Sequence, residues 1–267
     1  MKMWYKAGAL LVAGLLLLSG CASPNEGGED EKSEGNSMVV SASGSSESDL
    51  SESSEDSQAV LGSAQTSFFD DAVFVGDSVS LRLNYYCQAH KGALGKAQFL
   101  TAGSLGSGNA LLEVSADSVH PQYQGEKKLI QDSVKAMGAK KVFIMLGMND
   151  LNIYKIDGTV KNMNTLAQRI LKQSPDAEIY LQSMTPILAN HEKGQLTNKN
   201  LDKYNAELKK LAKEKGYHFA DVASVMKLED GSLKPEYCSD PEGMGIHFTD
   251  AGAEAWIDYL LQNAASF

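Results

Sequence analysis

Cysteine is scarce in this 267-residue sequence, with three in all, at positions 21, 87 and 238. Their spacing matches no metal-binding motif. A P-loop, a glycine-rich dinucleotide fingerprint and a metal-ligand cluster are also missing, so the chemistry is expected to need no cofactor. The 24 Lys and Arg face 34 Asp and Glu and form no basic stripe. Without such a stripe nothing displaces counterions from phosphates, which argues against a nucleic-acid partner. No internal repeat is evident. The longest apolar run, Ala7 to Leu18, falls short of the roughly 20 residues that a membrane-spanning helix needs.

What that run does have is context. Lys2 and Lys6 precede it and small residues follow, the order of an export signal over residues 1–21. Leu18-Ser19-Gly20-Cys21 resembles the bacterial lipobox. The resemblance implies a lipid on Cys21 and an exported protein anchored to the outer face of the bacterial cytoplasmic membrane. Residues 22–66 are rich in Ser, Glu and Gly, as in SASGSSESDLSESSEDS. Such a stretch buries too little apolar surface to offset the entropy of ordering it, so it reads as a solvated tether. Its ten carboxylates against Lys32 account for nine of the ten net negative charges, so the low pI says little about an active site. Residues 67–267 are expected to form one domain and a monomer. If Cys21 is acylated, Cys87 and Cys238 remain, either as a disulfide that an exported chain permits or as two free thiols.

From Phe68 onward, short β-rich runs alternate with longer amphipathic ones. Strands are expected at 73–75, 98–100, 142–146, 178–184 and 217–220. Helices are expected at 78–90, 126–137, 159–173, 198–215 and 250–263. This alternation implies parallel strands joined by right-handed crossovers, hence an α/β/α three-layer sandwich around a central, mostly parallel sheet. Ligands of such sheets bind at the carboxyl ends of the strands. The loops Gly76-Asp77-Ser78, Gly103 to Gly108 and Gly147-Met148-Asn149-Asp150 all fall there.

A nucleophilic serine needs an exposed hydroxyl, a base to take its proton, and donors aimed at the developing oxyanion. Ser78 sits between a strand and a helix, where the helix N-terminus favours negative charge. The same position also suits a plain helix cap. Asn149 likewise suits a turn. Of the five histidines, His90 falls late in a helix, His191 in a polar excursion and His218 within a strand. His120 remains a candidate for lining the pocket, and His247 precedes the last helix.

Val75-Gly76-Asp77-Ser78 resembles the first block of the GDSL/SGNH hydrolases, and Leu146-Gly147-Met148-Asn149-Asp150 resembles their third. Thr101 to Gly106 occupies the place of the second block, and Gly245-Ile246-His247-Phe248-Thr249 with Ala251-Gly252 is similar to the last. All four stand in family order across roughly residues 70 to 265. The resemblance implies a flavodoxin-like sandwich with Ser78 as nucleophile and His247 as general base. It also implies an oxyanion hole from the N–H groups of Ser78 and Gly106 and the Asn149 amide. Gly103 is the alternative register for Gly106.

One position departs from the pattern. The family places an aspartate three residues before the histidine, and here that residue is Met244. A histidine needs its second nitrogen bonded to present the right tautomer. A backbone carbonyl is the first expectation for that partner, and Asp240 or Glu242 from the preceding loop the second. Asp77 and Asp150 are expected to brace their turns. The implied activity is a membrane-anchored serine ester hydrolase acting on a small acyl ester or an O-acetylated glycan through an acyl-enzyme. The alternative is an SGNH-fold lipoprotein that only binds its ligand.

Overall fold

A computed structural model of the chain describes residues 64–267. The expected signal, Cys21 and the tether up to residue 63 lie outside the described residues. A helical turn at 64–67 leads into Phe68 and Phe69, whose rings pack edge to face with centroids 5.0 Å apart.

The elements, numbered in chain order, are β1 (Ala72–Gly76), α1 (Ser78–Ala89), β2 (Gln98–Thr101), β3 (Gln122–Tyr123), β4 (Glu126–Lys127), α2 (Ile130–Met137), β5 (Lys141–Met145), α3 (Leu151–Gln173), β6 (Glu178–Gln182), α4 (Asn198–Lys215), β7 (His218–Ala220), α5 (Ala223–Met226) and α6 (Asp250–Asn263). Five strands form one sheet in the order β2-β1-β5-β6-β7, every pair parallel. The order reverses direction at β1. Right-handed crossovers therefore put α1 on one face and α2, α3 and α4 on the other. Contacts follow that division, since α1 meets α6 while α3 meets both α2 and α4. The expected α/β/α sandwich is the fold observed.

The central strands are apolar along nearly their whole length, as a sheet covered on both faces requires. In-register pairing sets Phe99, Phe74, Phe143, Tyr180 and His218 opposite one another across all five strands. Their rings stack with centroids 5.4, 4.7, 4.4 and 4.3 Å apart. Aromatic pairs of this kind contribute about 0.5–1.5 kcal/mol each beyond burial. A slip of one residue would turn every ring to the other face, so the ladder locks the register.

Two elements differ from the sequence expectation. The helix expected from residue 126 begins at Ile130, because Gln124 and Gly125 both adopt positive φ, 54° and 81°, and fold Glu126-Lys127 back onto Gln122-Tyr123. That is the turn a two-residue hairpin demands. The helix expected from residue 159 begins at Leu151 and breaks at Lys155, whose φ is 57° and ψ −175°. Thr159 Oγ donates to the Lys155 carbonyl at 2.6 Å and satisfies the acceptor the break exposes. No helix among the described residues is long and apolar enough to cross a membrane.

The last helix is seated by Trp256, fully buried, with its ring against Phe248 and Nε1 donating to Gln182 Oε1 at 3.0 Å. Trp256→Ala is expected to lower stability by about 3–5 kcal/mol, read from urea unfolding, through the cavity and the orphaned Gln182 amide.

Candidate active site

The site stands above the carboxyl ends of β1 and β5, where the order of the sheet reverses. β1 ends at Gly76, and a Cβ there would lie 2.0 Å from Ser80 Oγ, so only glycine lets α1 start this close. Asp77 caps the helix, its Oδ1 accepting from Val79 N at 2.9 Å. Ser78 is thereby the first helical residue and is partly exposed. Its Oγ lies 2.9 Å from His247 Nε2.

His247 comes from the loop that precedes α6. The base of this loop is closed by a bridge between Cys238 and Phe248 and by Ser239 N donating to His247 O at 2.8 Å. Arg82 Nε on α1 donates to Phe248 O at 3.1 Å and ties the loop to the Ser78 helix. Inside the loop the chain curls around one carboxylate. Asp240 Oδ1 accepts from Ile246 N and His247 N, each at 3.0 Å. Its Oδ2 accepts from Met244 N at 3.3 Å and lies 2.7 Å from His247 Nδ1. The acceptor for His247 is therefore Asp240 and not the backbone carbonyl expected first. Glu242 is exposed. Burial opposes ionisation of Asp240, but the His247 side chain and the N–H groups of His247 and Ile246 outweigh it and hold the carboxyl below its ordinary range.

The second wall is the loop after β2. Asp150, nearly fully buried, accepts from Ser107 N at 2.7 Å and Gly108 N at 3.0 Å. A Cβ on Gly106 would sit 2.8 Å from Asp150 Oδ1, whereas one on Gly103 would meet nothing within 4 Å. Gly106 is thus the glycine that close packing requires. Asn149 Nδ2 donates to Leu105 O at 3.1 Å and reaches Asp77 Oδ2 at 3.4 Å. Gly106 N–H donates to Asn109 Oδ1 at 2.8 Å, and Asn109 Nδ2 to Ser104 O at 2.9 Å. Asn109 carries no motif signature, and only its place three residues after Gly106 marks it. Gly147, at φ 150°, has the Tyr204 ring 2.6 Å from where a Cβ would be, and Tyr204 Oη donates to Leu146 O at 2.7 Å.

The structure brings Ser78, His247 and Asp240 into one hydrogen-bonded chain, with Asn149 and Gly106 on the loops beside them. His90, His218 and His120 stand apart from it. His90 bonds Tyr86 O on its own helix, and His218 ends the ring ladder. His120 is buried with no hydrogen-bond partner on either ring nitrogen among the described residues. Cys87 and Cys238 are free thiols, and burial pushes the Cys87 thiol up to about 12. Among the described residues no three His, Cys, Asp or Glu side chains converge as metal ligands do.

Burial raises the Asp77 carboxyl from 3.8 to about 7, with Asp150 adding to the rise and the N–H groups of Val79 and Ser80 opposing it. The native state therefore holds this proton more tightly than the unfolded chain, and its contribution to stability falls as pH rises between those two values. Asp77→Asn keeps a capping oxygen without the charge. Its stability relative to the parent is expected to improve by roughly 1–4 kcal/mol between pH 4 and pH 8, measured as paired urea midpoints.

Comparison with known proteins bears on this arrangement. No curated protein matches the sequence. Among solved structures, one from Streptococcus pneumoniae provisionally described as a platelet activating factor is similar at 19% identity and a TM-score of 0.55, over 80% of this chain and 97% of that one. A GDSL-like lipase from Bacteroides thetaiotaomicron is similar at 17% identity and a TM-score of 0.53, over 73% and 87%. Identities this low speak to the fold alone. Residues 74–255 match the GDSL-like lipase/acylhydrolase family, a span from the strand before Ser78 into the helix after His247. Over well more than half its length, then, the chain belongs to the GDSL-like lipase/acylhydrolase family.

Proposed function

We propose that the protein is an exported serine ester hydrolase, held at the membrane by a lipid on Cys21, that works through an acyl-enzyme on Ser78. The observation that carries this reading is the unbroken chain from Ser78 Oγ to His247 Nε2 at 2.9 Å and from His247 Nδ1 to Asp240 Oδ2 at 2.7 Å. With Asp240 accepting from Nδ1–H, Nε2 is left as the base. Ser78 gives its proton to Nε2 as Oγ bonds the ester carbonyl carbon. The negative charge that develops on the carbonyl oxygen falls to the N–H groups of Ser78 and Gly106 and to the Asn149 amide. Collapse of this intermediate expels the alcohol, which takes the proton back from His247. A water then gives its proton to His247 as it attacks the acyl carbon, and collapse frees the carboxylic acid while His247 returns the proton to Ser78 Oγ.

The substrate class we favour is a short acyl ester, and among such esters O-acetyl groups on glycans. A tethered enzyme outside the cytoplasmic membrane meets cell-wall and imported glycans first. The competing reading, a fold that only binds its ligand, drew its support from Met244 standing where an aspartate is usual. Asp240 bonded to His247 removes that support.

Hydrolysis of p-nitrophenyl acetate and longer homologues by the full-length protein tests the reading. Ser78→Ala and His247→Ala are expected to lose about 10³-fold or more in kcat, Asp240→Asn roughly 10²–10⁴-fold, and Asn149→Ala about 10²–10³-fold. A folded parent with no turnover and no fluorophosphonate labelling of Ser78 would return the protein to the binding reading. The anchor has its own test. Cells fed an alkynyl fatty acid should label the parent and not Cys21→Ser, and only the parent should pellet with membranes.

A further inference from the structure

The loop that carries Asp240 and His247 has no regular structure of its own, so something must hold it against the sheet. Part of the answer lies in the segment after β6. Leu188 N donates to Gly245 O at 2.8 Å. Three residues on, the His191 side chain packs against Gly245, with Cγ 2.6 Å from where a Cβ would be. Gly245 has φ 67°, so both its backbone and the ring exclude a side chain there. His191 Nδ1 lies 2.8 Å from Ala189 O, and Nε2 lies 2.7 Å from Pro241 O.

Both of these partners are carbonyl oxygens, which only accept. A neutral imidazole has one N–H and would leave a lone pair facing the other oxygen. Only the doubly protonated ring satisfies both. We propose that His191 is a positioning residue of this site, an imidazolium that clamps Pro241 and so holds Asp240 where it can orient His247. The proposal rests on the esterase reading above and adds to it a residue that touches neither substrate nor nucleophile.

The charges around the ring agree. The carbonyls of Ala189 and Pro241 act first, and the Asp240 and Glu242 carboxylates add to them, so His191 is held above the ordinary imidazole value of 6.5. On its own segment, Glu192 is turned away to accept from Asn198 N, and Lys193 is exposed. His247 faces Asp240 from the other side. A raised histidine stabilises the native state fully below its unfolded value, and the contribution is lost as pH rises through the folded value. The clamp is therefore in place below the ordinary imidazole value and is released as pH rises through the raised one. Activity should fall at alkaline pH as His191 loses its proton.

The test compares the full-length parent with His191→Ala and His191→Gln. In p-nitrophenyl acetate hydrolysis, His191→Ala should lower kcat about 10-fold with KM nearly unchanged, since the ring orders the base and not the substrate. His191→Gln, which donates from one nitrogen only, should fall between. Both variants should lack the alkaline limb of the parent's pH profile. Nitrogen-15 imidazole spectra give a readout free of turnover. At pH 6.5, where an ordinary imidazole is about half protonated, most of the parent's His191 should carry protons on both nitrogens. The low-field His247 Nδ1–H resonance should be sharp in the parent and broadened in His191→Ala. A His191 that is mostly neutral at pH 6.5, or variants that keep the parent's kcat and alkaline limb, would overturn the proposal. Should the parent hydrolyse no ester and leave Ser78 unlabelled, the esterase reading fails, and the His191 and His247 resonances still decide the clamp.

Discussion

The pairing of β1 with β5 sets Gly76 opposite Met145 and so fixes where two loops leave the sheet. Asp77 and Ser78 follow one strand, and Gly147 to Asp150 follow the other. Their spacing is a matter of strand register before it is a matter of loop chemistry. The ring ladder holds that register, because Phe74 and Phe143 sit in the same layer with Tyr180 and His218 continuing it outward. Remote packing and local chemistry are thus coupled through a hydrogen-bond ladder that tolerates no slip. The reversal of strand order at β1 does the rest, leaving a crevice that no crossover helix fills.

Above the sheet the organising groups are carboxylates. Asp77 binds the first turn of α1, Asp150 binds Ser107 and Gly108, and Asp240 gathers the N–H groups of Met244, Ile246 and His247. Each collects backbone donors that no helix or strand bond satisfies, whether in the first turn of a helix or in a loop. Of the three, Asp240 also faces the histidine, so one side chain both shapes the loop and fixes the ring. This explains how the site dispenses with an aspartate at position 244. The fold of the loop supplies the carboxylate from seven residues away instead of three.

Much of this was legible in the sequence. Apolar runs marked the five parallel strands, and amphipathic spacing marked the longer helices between and after them. The four blocks named Ser78, Gly106, Asn149 and His247, which the fold brings to one place. What escaped has a common physical cause. The hairpin at 122–127 depends on a non-glycine residue, Gln124, accepting positive φ, and composition does not announce that. Asp240 over a backbone carbonyl depends on how six residues curl around one carboxylate. His191 lies in a polar excursion that carries no motif, yet its ring meets a segment fifty residues away. Periodicity reports neighbours along an element and is silent about loops that meet across a fold.

The donors beside Ser78 are already spoken for. Gly106 N–H is bonded to Asn109, and the Asn149 amide to Leu105 O. An incoming ester carbonyl must displace protein oxygens of about its own basicity and gains little by the exchange. An oxyanion, far the stronger acceptor, gains a great deal. Under the proposed mechanism occupancy of Gly106 N–H and the Asn149 amide thus favours the tetrahedral species, since their attraction for the ground state is offset before the reaction starts. Under the same mechanism, grip on the intact ester would come from surfaces farther out, which could differ without disturbing the reacting centre.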